Sequence, residues 1–437
     1  QRYLDRKLRK IESEREMIIK TRKKRPEAVV RRFLSAFKAQ TNVDHSELQQ
    51  EWNRTEVREI LMDEVEKRLE EWEFKEVINA VEKIFEAILF SHPKHEQDLV
   101  RLASMRLDAC NAIGIYSAED KYSQEAQQMT REMRNDPSSW ANVIAFDIRR
   151  AVSFQNVLNF NEALKLTEEL VDFFDQQKRR APLRVEGVRY IGELYGTHAL
   201  NCFFQAHLVG NTDKGYMESL MLRGEYYSMA AADHFVDPED IERHRIYLAH
   251  AMMSKYMLTY EKDSLDSAAS LLGPLFDLEE LLPAYLDDKR KLSNNEIYAI
   301  PALLKLSWLK GSVPSSLSKV RSSFRSIKPN HPNQLILGYI ALLAEGDLQR
   351  HAKRRLEESD WTALVAFIAK MMMIHMKWEI SDKKEIDEDL FKVLTEGLDE
   401  NVVHNLLMYR ILDRLEDMSS PAYQGIGPIS LLPFNYS

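Results

Sequence analysis

Apolar residues recur at three- and four-residue spacing along almost the whole chain, and the alternation that marks strands is almost absent. This periodicity predicts about twenty helical segments, most of them of roughly 12–24 residues. Short breaks separate them: Ser91-His-Pro, Asn135-Asp-Pro, Arg180-Ala-Pro, Gly210-Asn-Thr-Asp, Val236-Asp-Pro and Lys328-Pro-Asn-His-Pro. In Asp237-Pro-Glu-Asp the aspartate is placed to cap a helix and the proline suits its first turn. Connections this short make neighbouring helices pack antiparallel.

One predicted helix is unusual. Residues 192–207, GELYGTHALNCFFQAH, contain two glycines, each costing about 1 kcal/mol against alanine in a helix interior. At 3.6 residues per turn Gly192, Gly196, Ala199, Phe203 and Ala206 share one face, and all but Phe203 are small. Tyr190, Leu194, Thr197, Asn201, Phe204 and Leu208 form a second, largely apolar face. A helix apolar on two sides is expected to be flanked on both, with its small stripe admitting a close neighbour. In the next predicted helix Met217, Leu220, Met221, Gly224, Ser228, Ala231 and Phe235 again combine a glycine with small and apolar residues. The two read as a helical hairpin joined at Gly210-Asn-Thr-Asp.

The segment Leu158-Asn-Phe-Asn-Glu-Ala163, preceded by Ala151 and Phe154, resembles the turn and second helix of a tetratricopeptide repeat. Trp72-Glu-Phe-Lys-Glu-Val and Glu345-Gly-Asp-Leu-Gln-Arg-His-Ala resemble it more faintly. The tryptophan and proline positions of that pattern are held by Asp147 and Asp175, and no fixed period emerges. The resemblance, over roughly residues 45–415, implies an all-α, right-handed superhelical solenoid of antiparallel helix pairs. Arrays of that family are scaffolds that bind peptides or helices, mostly on the concave side.

Composition adds limits. Glycine and proline number only 14 each in 437 residues, which suits helices. The net charge of −9 argues against a general nucleic-acid coat. Yet residues 1–32 hold 13 Lys and Arg against 5 Asp and Glu, so a basic N-terminal helix precedes an acidic body. It is expected to be solvated or docked on that body, with nucleic acid or an acidic partner as the alternative. The expected divisions are a basic helical segment at 1–40, a helical array at 41–290, its second part at 291–418, and an extended apolar tail at 419–437. The serine-rich stretch after Lys310 is expected to be a connecting loop or a helix with a serine face. Because the chain starts at Gln1, an upstream effector is expected to be missing. Cys110 and Cys202, in apolar helical contexts, are expected to be buried reduced thiols of a cytoplasmic protein. The most apolar run, 365–376, is short and broken by Lys370, so no membrane span is expected.

Chemistry is sparse. Phosphate-binding, dinucleotide-binding and hydrolase-elbow motifs are absent. Arg245 and His250 have the Arg-x4-His spacing of a family of helical ribonucleases, in which a basic residue and a histidine converge on the 2′-hydroxyl and phosphate. With 12 histidines such a match arises roughly two or three times by chance; otherwise Arg245 faces solvent and His250 packs on a neighbouring helix. His92, His95 and Glu96 are conceivable metal ligands but sit in a turn, without cysteine and without HExxH order. His198 and His234 read as core or rim residues. Met371-Met-Met-Ile-His-Met376 beside Trp378 is either core or an adaptable binding surface. Tyr195, Asn201 and Gln205, on an apparent inner helix, and Tyr226 and Tyr227, beside the small seam, are the candidate partner-binding residues; one tyrosine of the latter pair is expected to be buried and the other to face a groove.

The reading is therefore a non-enzymatic helical-repeat protein, without cofactor or metal. It would bind a protein or peptide as the scaffold or sensor part of a larger assembly. A peptide-responsive regulator with an N-terminal effector is the alternative, and a helical ribonuclease the third.

Overall fold

The structure, a computed structural model, describes residues 26–357 apart from 42, 72, 90–94, 114, 158, 181–184, 186–187, 189, 210–212, 235–237, 260, 287–291 and 320–330. The basic segment before Pro26, His92, Trp72, Phe235, the methionine-rich run and the C-terminal tail therefore lie outside the described residues. Among the described residues every regular element is helical. The chain divides into two units, Gln1–Ala109 and Cys110–Ser437.

In the first unit α1 (Pro26–Lys38), α2 (His45–Trp52), α3 (Thr55–Glu70) and α4 (Phe74–Ile88) pack on one another, followed by α5 (Glu96–Ala112). The sorting of residues in α4 explains the arrangement. Val77, Ala80, Val81, Ile84, Phe85 and Ile88 are buried and their spacing makes one apolar stripe. Asp44 caps α2 by accepting from the backbone N–H groups of Ser46 and Glu47. Arg58 donates to Asp98 at 2.7 Å and to the carbonyl of Trp52 at 3.0 Å.

The second unit contains α6 (Lys121–Met133), a 3₁₀ turn (Pro137–Ser139), α7 (Trp140–Asn156), α8 (Phe160–Arg180), α9 (Ile191–Val209), α10 (Lys214–Ala232) and α11 (Pro238–Thr259). It continues with α12 (Lys262–Leu272), α13 (Leu278–Leu286), α14 (Asn294–Leu309), the short α15 (Ser316–Lys319), α16 (His331–Leu343) and α17 (Gly346–Glu357). Breaks fall where polar caps stand. Asp136 accepts from the backbone of Ser138 and from the hydroxyls of Ser138 and Ser139. α11 begins at Pro238, as the Asp-Pro pattern predicts. The break before α17 uses Gly346 at φ +65°, a left-handed conformation that glycine adopts without a Cβ clash.

Within this unit successive helices pack as pairs, including α7 with α8, α9 with α10 and α16 with α17. Alternate helices also touch, α7 with α9, α9 with α11 and α14 with α16, and α11 meets α14 across two intervening helices. At the segment that resembles a tetratricopeptide turn, Ala118, Ala151, Phe154 and Ala163 bury together where α7 turns into α8. α14 packs on α11, α12 and α13, and its first turn is held by a capping box between Ser293 and Glu296. Of the serine-rich stretch, 316–319 forms the short α15 and Gly311 turns the chain at φ +63°.

The glycines behave differently from one another. At Gly224 an added Cβ would lie 2.8 Å from Cε2 and 2.9 Å from Cζ of Phe203, so α10 accepts the ring of α9 only because position 224 has no side chain. Gly196 is buried too, but an added Cβ there meets nothing within 4 Å. The expected close approach therefore holds at Gly224 and fails at Gly196, where the neighbouring elements stop short of the backbone.

Candidate functional site

α9 runs antiparallel between α8 and α10, and three polar rungs bridge α8 to α10 across it. Glu168 accepts from Arg223 at 2.7 Å. Asp175 accepts from the hydroxyls of Tyr195 at 2.7 Å and Tyr227 at 3.1 Å. Lys178 lies 3.3 Å from Nε2 of His234. Residue numbers rise together on α8 and α10, so those two helices are parallel.

His198 sits under the first rung and is wholly buried. Its Nε2 faces the Arg223 guanidinium at 3.3 Å and the Cys202 thiol at 3.7 Å, and its Nδ1 lies 3.0 Å from the Thr167 hydroxyl. A guanidinium only donates, so Nε2 must accept and the ring proton resides on Nδ1, aimed at Thr167. Burial, reinforced by the Arg223 charge, pushes the His198 pKa down to about 3. Burial pushes the Cys202 thiol up to about 12. At neutral pH both groups are uncharged, so this Cys–His pair supplies no thiolate and serves to hold α8, α9 and α10 together.

The residues proposed to meet a partner separate into two sets. Tyr195 and Asn201 are fully buried, and their polar atoms are spent inside the protein. Tyr195 donates to Asp175, and burial, reinforced by that carboxylate, raises its pKa. Asn201 accepts from Gln155 and donates to the Ala163 carbonyl and the Thr167 hydroxyl. Gln205 is also buried, with Oε1 accepting no hydrogen bond. α9 is covered by α7, α8, α10 and α11, so these three residues face the interior and present nothing to a bound backbone. Tyr226 and Tyr227 differ in exposure, though neither is fully buried. Tyr227 is half-buried on Asp175 and the His198 ring, whereas Tyr226 is 63 % exposed and packs edge-on against Tyr227 at 4.9 Å.

Tyr226 does not stand alone. Leu222 is 68 % exposed and Met229 72 %, and with Tyr226 they follow a four- and three-residue spacing along α10. Glu218 and Asp233 extend the same stripe, both exposed. The positions i, i+4, i+8, i+11 and i+15 are legible in the sequence, but Leu222 and Met229 were assigned no role there. Their neighbours Met217, Leu220 and Met221 pack with Leu164, Cys202 and Ala206 on the opposite side of the helix. At its edge Glu225 pairs with Lys255 of α11, which raises the lysine pKa.

The remaining candidates are separate. His95 lies 3.4 Å from the Arg58 guanidinium, and burial with that positive neighbour lowers its pKa. Among the described residues no group of three or more His, Cys, Asp or Glu is placed to hold a metal ion. His250 is wholly buried in the α11–α14 core with its pKa held well below the usual imidazole range, so it does not join Arg245 at an accessible phosphate site. Cys110 is buried and reduced. No described helix is long and apolar enough to cross a membrane. Compared with protein-family models, curated proteins and solved structures, the chain matches none.

Proposed function

We propose that the chain is a helical scaffold or sensor that binds a protein partner, and that the outward stripe of α10 is its contact surface. The second unit is read as a tetratricopeptide-like, right-handed stack of helix pairs. The contacts between successive and alternate helices support this reading. The single observation that carries the function is the stripe itself. Three large apolar side chains stand side by side at 63–72 % exposure, and adjoining apolar exposure of this kind marks interaction surfaces. The helix beneath is braced by the Arg223–Glu168 and Tyr227–Asp175 rungs, which lowers the ordering cost of binding. The burial of His250 weighs against the ribonuclease alternative.

The test is affinity purification of the intact protein from its native cells, beside the Leu222→Asp/Met229→Asp variant. A protein recovered in stoichiometric amount with the wild type and lost from the variant supports the reading, provided both show the same circular-dichroism melt. A partner retained equally by both would overturn it.

A further inference from the structure

Resting on that reading, we infer that the occupant of the α10 stripe is an amphipathic helix whose apolar row is flanked at both ends by Lys or Arg. The stripe runs from Glu218 to Asp233, about 22 Å at 1.5 Å per residue. Its middle is Leu222, Tyr226 and Met229; its ends are carboxylates. Glu218 meets Lys214 at 3.9 Å, but those side chains are 59 % and 77 % exposed, and so open a pair contributes little. Asp233 lies at the C-terminus of α10, where the last carbonyls carry the negative end of the helix dipole, and no basic residue occupies the last turn. Arg223 is committed to Glu168 and Lys255 to Glu225, while Lys178 faces His234, the residue after Asp233. Both ends of the row therefore call for positive charge.

The same charges argue against a second copy of this chain. Two α10 helices packed antiparallel about Tyr226 would place Glu218 against Asp233 at each end. Packed parallel, they would oppose Glu218 to Glu218 and Asp233 to Asp233. Either arrangement sets carboxylate on carboxylate beside a desolvating apolar row, which is unfavourable. A helix bearing Lys or Arg four residues outside its apolar row turns both ends into attraction. Tyr226 supplies the central anchor, its ring steadied edge-on by Tyr227. A single row of this length is a small interface, so an isolated peptide should bind on the order of micromolar.

The probes are fluorescein-labelled helical peptides of about 18 residues: one with a leucine row flanked by lysines, a twin with glutamates replacing those lysines, and a third of the first composition with its leucines dispersed. Fluorescence anisotropy on the full chain should show the lysine peptide binding about tenfold more tightly than its glutamate twin, weakening as salt is raised. The dispersed peptide should not bind. Glu218→Lys/Asp233→Lys should reverse the preference, and Leu222→Asp/Met229→Asp should abolish binding. Equal affinity of the two twins, no reversal by the charge variant, or a dimer in sedimentation that Leu222→Asp disrupts would each overturn the inference. If no peptide binds while the native partner is still lost on Leu222→Asp/Met229→Asp, the docking function stands and the basic-helix inference falls. If that partner is unaffected as well, both fall.

Discussion

Two glycines in adjacent helices offer a controlled comparison. Both are helical and both are buried, so replacing either with alanine recovers about 1 kcal/mol of helix propensity and unfolded-state entropy. They differ in what the new methyl meets. At Gly196 nothing lies within 4 Å, so the propensity gain is retained and Gly196→Ala should stabilise by about 1 kcal/mol. At Gly224 the methyl would stand 2.8, 2.9 and 3.1 Å from three carbons of the Phe203 ring. Carbon atoms pack best at about 3.5–4.0 Å, so the ring or the helix must give by nearly 1 Å. Phe203 is itself wholly buried and has little room to move. Overpacking of this kind costs about 1–3 kcal/mol, which outweighs the propensity gain, so Gly224→Ala should destabilise by about 1 kcal/mol net. The two variants should thus differ by about 2 kcal/mol in urea denaturation at constant m-value. A double-mutant cycle with Phe203→Leu locates the cause: the leucine should relieve the Gly224→Ala penalty and leave the Gly196→Ala gain unchanged. Stabilisation by Gly224→Ala equal to that by Gly196→Ala would refute the claim that the Phe203 ring occupies the missing side chain's place.

Acid should weaken the second unit in a defined window. His198 and His244 are depressed to about 3 and about 4 from an ordinary 6.5, chiefly by burial, so below pH 6.5 the unfolded chain takes up protons that the folded chain refuses. Stability therefore rises with pH across that window, and falling from pH 6.5 to 5 should cost about 1.5 kcal/mol per histidine; a urea midpoint unchanged over that interval would contradict the burial. Asp147 lies between Arg134 at 3.2 Å and Arg150 at 3.6 Å, and Arg150 is nearly as buried, so Asp147→Ala should cost about 3–5 kcal/mol, more than Asp147→Asn, by thermal or urea melts. Cys202, with its thiol raised to about 12, should resist iodoacetamide at neutral pH in the native protein and react only on unfolding, as mass spectrometry of the alkylated peptide would show.

The helices were legible because their signals are local. A three-four periodicity needs no knowledge of the neighbour, nor does the cap at Asp136 or the start at Pro238. The turn beside Ala163 was legible for the same reason: Ala151, Phe154 and Ala163 meet within one hairpin. The glycine stripe marks the limit. In sequence Gly196 and Gly224 are alike, since each interrupts an apolar face, and only the position of another helix decides whether the gap is filled. The candidate binding residues mark the same limit. Asn201 and Gln205 are polar, and a polar residue on an apolar helix reads equally as a group offered outward or as one satisfied within. Asn201 is satisfied by Gln155, the Ala163 carbonyl and Thr167, partners roughly 34–46 positions away whose proximity is a product of the fold. Leu222 and Met229 present the converse ambiguity. An apolar stripe announces that something should cover it, but does not distinguish cover by the same chain from cover by another molecule. In α10 one face, through Gly224, receives Phe203 of this chain, while the other, through Leu222 and Met229, lies open between two carboxylates. Foldability requires only the first face, so the sequence alone leaves the second without an assigned cover.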